Sequence, residues 1–538
     1  MSKYLIGIDV GTGSARAGLF DEAGKLVASA KRDITLFNRG PNLYEQSSDE
    51  IWQAVCASVR EAVASAGISP AEVAGIGMDA TCSLVVIGPN GKPLPVGDMA
   101  HPDRNIVVWM DHRALEQAER INATGHDVLH YVGSQISPEM ETPKLLWLKE
   151  NSPDIFCAAE HFFDLTDFLT WRATGSLDRS ICTVTCKWTY LGHERRWDGS
   201  FFETIGLPEL CENDFDRIGA TVVDAGTPLG TGLTAEAASE MGLPLGTPVA
   251  AGLIDAHAGG VGTVGWREEG SQGSATSRMA YVFGTSACTM TTTEEPAFVP
   301  GVWGPYFSAM VPGLWLNEAG QSAAGAAIDH LVRFHPAAAE ARERAREAGL
   351  GLSQWLAAET ASMTADGTYP ALLADGLHVV PEFLGNRAPF ADPEAKALIA
   401  GLDMDTSAAS LVRLYVASVC GLGYGLRQII EAQAAKGIRL DTIVVSGGAG
   451  QSSLVRRLLA DATGLTVAAP KTPEPVLLGS AMLGAVAAGL QPDIPAAMAA
   501  MSEAGETYAP AGGAAAAYHD KRFEPFELLQ ATGRKLRT

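Results

Sequence analysis

Residues 4–20 read YLIGIDVGTGSARAGLF: an apolar run that ends on Asp9, a short polar turn, and a second alternating run. Apolar runs on both sides of a glycine-bearing turn predict a strand, a tight turn and a strand. Gly11 and Gly13 let backbone N–H groups approach an anion closely, Thr12 and Ser14 add hydroxyls, and Arg16 adds positive charge nearby. Asp9 can hold a magnesium ion through water. A nucleotide's phosphate tail fits these groups. The turn joins two strands and lacks the Lys-Ser/Thr ending of a P-loop, so it is a different kind of phosphate site. Standing alone, the same stretch reads equally well as an ordinary hairpin turn, so the rest of the chain must decide.

At 538 residues the chain has room for three or four average domains or two large ones. Its 47% apolar and 19% charged residues are those of a soluble globular protein. A net charge of −23 without any Lys/Arg run argues against a nucleic-acid partner. The eight cysteines show no CxxC spacing, and Cys182 and Cys186 are the only close pair, which suggests free thiols in a reducing compartment. No signal segment opens the chain and no apolar run approaches the ~20 residues of a bilayer span. The expectation is a cytoplasmic protein with no membrane partner.

Outward from the hairpin, a third strand is predicted over residues 26–36. A capping box, Ser47 to Glu50, then opens a helix whose Ile51, Val55, Val59 and Val63 form one stripe to Gly67. A strand over residues 73–78 ends in Asp79-Ala80-Thr81-Cys82-Ser83, a hairpin turns at Asn90-Gly91, and a strand over residues 106–109 leads through Asp111 and Arg113 into a helix. This alternation indicates an α/β lobe around a mixed sheet, with Asp9, Asp79 and Asp111 at strand ends where such sheets carry ligands. Residues 125–230 read as an insertion that builds a pocket wall. Within it residues 182–188 are predicted to be a strand that points Lys187 into a cleft.

The run TPVAAGLIDAHAGG, residues 247–260, predicts a buried strand that ends at Asp255 and a helix of small residues. Residues 267–277 read as an interdomain connection. Beyond it the chain starts again: a strand over residues 279–283, the turn Gly284-Thr285-Ser286-Ala287, a Thr-rich strand from Cys288, and a third run to Glu318 that feeds a helix from Gln321. That echo predicts two related lobes, residues 1–266 and 267–538. A strand over residues 442–445 precedes Ser446-Gly447-Gly448-Ala449, and Pro475 opens another small-residue helix. The tail reads as a terminal extension of little chemical content.

Two glycine-threonine turns from opposite lobes would clamp a triphosphate, and Gly447, Gly448 and Ala449 would let an adenine lie against backbone. Phosphoryl transfer needs positioning, magnesium and a carboxylate near the acceptor hydroxyl. Asp255 is the candidate base, kept ionised by its helix N-terminus with a pKa near the ordinary value, although alone it would read as a helix cap. Lys187 and Glu318 can bridge the hydroxyls and carbonyl of a small polyol, with Ala80, Thr81 and Cys82 on its other edge. Trp109, Trp147 and Trp188 can stack on a sugar, though core packing is the commoner use.

These residues resemble the FGGY carbohydrate kinases, part of the larger actin, heat-shock-70 and sugar-kinase fold. The resemblance runs over roughly residues 4–489, through IDVGTGSAR, PKLLWLKEN from Pro143, GLIDAHAG around Asp255, FGTSA from Phe283, GNRAPFADP from Gly385 and SGGAGQS from Ser446. It implies an α/β protein with two ribonuclease-H-like lobes around an ATP cleft, closing on a sugar. It also implies ATP and Mg2+ as cofactors, with Asp9 and Asp255 at the metal, residues 11–14, Arg16, Gly284 and Thr285 at the phosphates, Gly447–Ala449 at the adenine, and a homodimer. DATCSLVV from Asp79, TCKWTYL around Lys187 and LNEAGQSAAG from Leu316 are similar to ribulokinases. The Gln-Met-His-Gly run of xylulokinases and the Arg-Glu pair of glycerol kinases are absent. The implied reaction is phosphorylation of a pentulose, D-ribulose, on O5. L-ribulose, ribitol and xylulose are alternative acceptors, and a shape-changing ATPase of the actin or heat-shock type is a rival of another class. Glu141, where the first family signature usually has a small residue, and residues 410–417, which lack the His and Glu of the second, depart from the family pattern.

Overall fold

The computed structural model describes residues 3–267 and 275–537. Strand β1 (Tyr4–Val10) turns into β2 (Ser14–Asp21), antiparallel with Asp9 opposite Arg16, and β3 (Leu26–Asp33) continues the meander. Helix α1 (Ser48–Ala66) buries the predicted stripe and ends on Gly67 at φ 67°. Only half of the capping box forms. Ser47 accepts from the Glu50 N–H, but the Glu50 carboxylate accepts from the N–H and hydroxyl of Thr35 at 3.0 and 2.7 Å.

Strand β4 (Val73–Ala80) runs parallel to β1 with Asp79 level with Asp9, and β5 (Leu253–Ile254) runs parallel to β4 with Leu253 level with Asp79. The first sheet has the order β5-β4-β1-β2-β3. Residues 106–109, expected as a strand, pair only over Ile106–Val107. That pair belongs to a second five-stranded sheet, with Phe37–Gly40, Leu43–Gln46, Leu84–Ile87 and His161–Asp164.

The predicted strand over residues 182–188 is instead helical. After α2 (Glu141–Asn151), α3 (Ile181–Lys187) starts where Ser180 accepts the Cys182 N–H. Every residue of α3 is buried, so no polar face imposes a 3.6-residue period and its β-branched residues mimic a strand. Helix α4 (Asp255–Val264) follows β5 directly.

The second half repeats the plan. Strands β6 (Arg278–Phe283) and β7 (Ala287–Thr293) form a hairpin, and β8 (Trp303–Phe307) and β9 (Trp315–Gln321) extend it. On the other side β10 (Thr442–Ser446), β11 (Thr466–Pro470) and β12 (Ala504–Tyr508) complete the order β8-β9-β7-β6-β10-β11-β12. As in the first sheet, an antiparallel meander lies beside a parallel strand, β10 on β6. Helix α5 (Gly325–Phe334) begins later than predicted because Gln321 still pairs with Ala287. The expected connection over residues 267–277 falls largely on residues 268–274, outside the described residues.

Two further expectations are corrected. Helix α6 (Ala408–Ala434) is long and apolar enough to cross a bilayer, but 83% of its apolar window is buried inside the protein, where it forms a core helix. The tail is part of the second lobe: β12 pairs with β11, and after α7 (Ser453–Thr463) and α8 (Pro475–Ala487) comes α9 (Ala514–Lys535), which buries His519, Arg522, Phe523, Phe526 and Gln530. Those five share one helical face. That period is present in the sequence, directly after an Ala/Gly run.

Helix α8 belongs to the second half of the chain yet packs on the first sheet. A Cβ at Gly7 would stand 1.9 Å from the Leu477 carbonyl oxygen, and one at Gly77 would stand 1.8 Å from that of Ser480. Backbone cannot yield as a side chain can. Gly77→Ala should therefore lower stability by about 3 kcal/mol or more, whereas Gly512→Ala, whose Cβ meets nothing within 4 Å, should stay within about 0.5 kcal/mol. Urea titration of the two variants against wild type checks this.

Candidate active site

The register that levels Asp9 with Asp79 also sets Asp255, the first residue of α4, at the same edge of the sheet. Here a cavity of about 560 Å³ opens between the lobes. The first half contributes Asp9, residues 11–14, Arg16, Thr81, Cys82, Lys187 and Asp255, and the second contributes Gly284, Thr285 and Glu318. Sequence reasoning named all of these. Ala80, also named, lies in the core and outside the cavity wall.

Each glycine turn is closed by its glycine N–H, over residues 11–14 in the first and 284–286 in the second. Gly11 N–H donates to the Ser14 carbonyl at 3.0 Å, and Gly284 N–H donates to that of Ser286 at 2.9 Å. A Cβ at Gly13 would meet nothing within 4 Å, and one at Gly11 or Gly284 would touch only its own turn. The space over both turns is open for an anion. Trp109 Nε1 donates to Thr12 Oγ1 at 3.0 Å, which fixes that hydroxyl.

A second cavity, of about 960 Å³, shares Gly284 and Thr285 with the first and is lined further by Asp329, Gln354, Tyr415 and Gly448. The two spaces meet at the second glycine turn. Gly447 is required to be glycine, at φ 90° with its Cβ position 2.6 Å from the Phe283 carbonyl oxygen. It lies outside the lining, while Ala449 begins the short turn that follows.

Charge in the first cavity is arranged in pairs. Arg16 is held by Asp9 and, at 2.7 Å, by Glu474 ahead of α8. Its guanidinium is thus engaged by carboxylates, where the sequence suggested a phosphate. Ser480 on α8 donates to Asp79, whose carboxyl is pushed up by burial and by Asp9. Asp255 is pushed up to about 6, first by burial and then by Asp9, against the pull of the Ala256 N–H, His257 and Lys187. It is therefore a stronger base than the sequence suggested and is still mostly ionised at neutral pH.

Burial opposes the charge on Lys187, but the facing Cys82 and Glu318 outweigh it and raise its pKa. Glu318 stays ionised, at about 2, because Lys187 and His257 outweigh its burial. His257 is a residue the sequence reading missed. Its Nε2 stands 3.5 Å from Glu318 Oε2, and its Nδ1 stands 3.1 Å from Cys182 Sγ. Against burial, Cys182 holds His257 protonated to about 10, while Cys186 and His257 pull the Cys182 thiol down to about 5. Buried Cys182, His257 and Glu318 thus run in sequence from α3 through α4 to β9, each shifted towards its charged form by its neighbours.

Other positions separate from the site. Asp111 pairs with Arg113 at 2.8 Å and accepts from the Tyr44 N–H, a structural role. Trp188 is core, Trp147 packs under Arg113, and only Trp109 of the three tryptophans reaches the cavity. Glu141 is fully buried at the start of α2, 3.5 Å from Lys144 and outside the lining. Glu139, Trp303 and Arg387 line the cavity and were not named as site residues. Only Arg387 carried a signal, in the GNRAPFADP run.

The FGGY family of carbohydrate kinases matches this chain twice, its N-terminal domain over residues 4–262 and its C-terminal domain over residues 279–488. An FGGY carbohydrate kinase domain-containing protein of Xenopus laevis is 45% identical over 98% of this chain and 96% of its own. A D-ribulokinase of Saccharomyces cerevisiae is 40% identical over 90% of this chain and 72% of its own. The solved xylulose kinase of Rhodospirillum rubrum superposes with a TM-score of 0.80 over 99% of both chains at 23% identity, a likeness of fold.

The charge state of Cys182 is directly measurable. Ultraviolet thiolate absorbance should persist as pH falls towards about 5 and vanish in Cys182→Ser. In His257→Gln it should appear only at higher pH than in the wild type, because a cation that stabilises it is gone while burial remains.

Proposed function

The chain belongs to the FGGY family of carbohydrate kinases, ATP-dependent sugar kinases, and we propose that its acceptor is a pentulose, D-ribulose, phosphorylated on O5. The observation that carries this reading is the convergence of Asp255, Lys187 and Glu318 on one cavity that meets the larger one at Gly284 and Thr285. The name of the yeast relative supports D-ribulose as the acceptor. Eight free cysteines support a reducing, cytoplasmic setting.

In this reading ATP lies in the larger cavity, with its adenine against Gly447–Ala449 and its phosphates passing between the turns at residues 11–14 and 284–286. Asp9 and Asp255 would hold Mg2+. The donor set fits, because magnesium commonly takes one or two carboxylates and completes its shell from phosphate and water. Among the described residues there is no cluster of three or more His, Cys, Asp or Glu that would form a closed metal site. When bound, the ion supplies charge neutralisation at the phosphates.

The chain's own residues do the rest. Lys187 donates to sugar oxygens and Glu318 accepts from sugar hydroxyls, so one charge of each sign, one from each lobe, fixes the acceptor. The Asp255 carboxylate takes the proton from the primary hydroxyl as that oxygen attacks. Closure of the lobes excludes water, a competing acceptor.

ADP release should rise strongly with D-ribulose over L-ribulose, D-xylulose, ribitol and glycerol. Preference for another of these would reassign the acceptor, and turnover independent of sugar would remove the reading altogether. Asp255→Ala should retain ATP binding and lose about 10³-fold or more in kcat. For the wild type, kcat/KM for the sugar should fall as pH drops through about 6, where Asp255 takes up its proton. In His257→Gln that limb should move to higher pH, since one of the cations that lowers the Asp255 pKa is removed.

A further inference from the structure

Arg387 is a charged residue of the cavity that the mechanism above leaves unused. It leaves the loop of residues 381–397 and lines the space from the second lobe. Its guanidinium stands 5.3 Å from the centroid of Trp303, the same ring that Lys187 Nζ approaches to 5.8 Å. It faces Glu139 from the first lobe and Glu318 from the second. Among the described residues its one hydrogen bond goes to Cys288 Sγ at 3.7 Å, a weak acceptor. A guanidinium carries five donors, and leaving them unmet in a closing cleft is costly. Its remaining donors face the cavity, free to take acceptor oxygens from what binds there.

The loop is held in shape by its own bonds. Asn386 and Asp392 exchange backbone hydrogen bonds at 2.8 Å, and the Asn386 side chain binds Glu382 at 2.6 Å and the Phe390 N–H at 3.0 Å. The loop is also pinned from outside by α9. Gln530 donates to Glu382 at 2.5 Å, Arg537 just past the helix donates to Asp392 at 2.9 Å, and Arg534 lies 4.2 Å over the Phe390 ring. Gln530 in turn pairs with Gln428 of α6 at 2.9 Å. The family match ends at residue 488, so this support comes from a part of the chain that the match does not cover.

We propose that Arg387 contacts the acceptor and selects a ketose over a polyol, and that the carboxy-terminal helix α9 positions it. This rests on the reading of the smaller cavity as the sugar chamber. The chemistry of O5 transfer points the same way. In the cyclic furanose of a pentulose O5 is a ring atom, so the form that can be phosphorylated is the open chain with a free C2 carbonyl. That carbonyl only accepts hydrogen bonds, and with the neighbouring O1 it offers a pair of oxygens that suits the planar fork of an arginine. A polyol has no carbonyl there. With Asp255 at the O5 end, Arg387 and Lys187, both near the Trp303 ring, are the cations available for the carbonyl end.

The test is steady-state kinetics of full-length variants with D-ribulose, ribitol and ATP. Arg387→Gln should raise KM for D-ribulose about tenfold, leave KM for ATP within about twofold, and reduce the kcat/KM preference for D-ribulose over ribitol. Arg387→Lys should recover part of the loss, which a purely structural defect would not do. The pair Gln530→Ala and Arg537→Ala, outside the cavity, should raise KM for D-ribulose by about threefold in the same direction. Unchanged sugar KM and preference in Arg387→Gln would overturn the contact. A normal sugar KM in the helix variants, with Arg387→Gln impaired, would overturn the positioning role. Failure of the underlying chamber reading would show separately, as turnover retained by Asp255→Ala.

Discussion

The molecule depends on one contact between backbones. Helix α8, from the second half of the chain, lies so close to the first sheet and to α4 that its carbonyl oxygens occupy the places where side chains at Gly7, Gly75, Gly77 and Gly262 would begin. Close packing of this kind resists substitution because neither partner has side chains to rearrange. It also carries chemistry. Ser480 on α8 reaches Asp79, and Glu474 just before α8 reaches Arg16 and, through it, Asp9. The carboxylates of the first lobe are therefore fixed by the sequence that closes the second.

Around that contact, two copies of one strand plan face each other with their glycine turns towards the cleft. Parallel register in the first sheet aligns Asp9, Asp79 and the start of α4. The result is a cluster of acids in which burial and the neighbouring Asp9 raise the Asp255 carboxyl and suit it to accept a proton. Opposite charges limit the cost. Lys187, His257 and Glu318 neutralise one another across the lobe boundary, and Cys182 supports His257 from behind. The smaller cavity thus carries charges of both signs, while the larger one meets it at the Gly284-Thr285 turn.

The sequence by itself determined the strand-turn-strand plan, its repetition after residue 277, and most of the residues that line the cavity. Each of these rests on local rules: alternation, glycine where backbone must approach something, and a carboxylate at a strand end. The resemblance to FGGY kinases followed from the same short runs. Local rules failed at α3, where complete burial erased the helical period, and at α9, whose buried face lies behind an unremarkable Ala/Gly run. Only the tertiary structure decided that Arg16 serves Asp9 and Glu474, that Asp111 is structural, that His257 sits between Cys182 and Glu318, and that the loop carrying Arg387 is bonded to a distant helix. In most of these cases a partner is remote in the chain, by 458 residues for Arg16 and Glu474. The energy of such a pair is set by distance and burial, which no local pattern records.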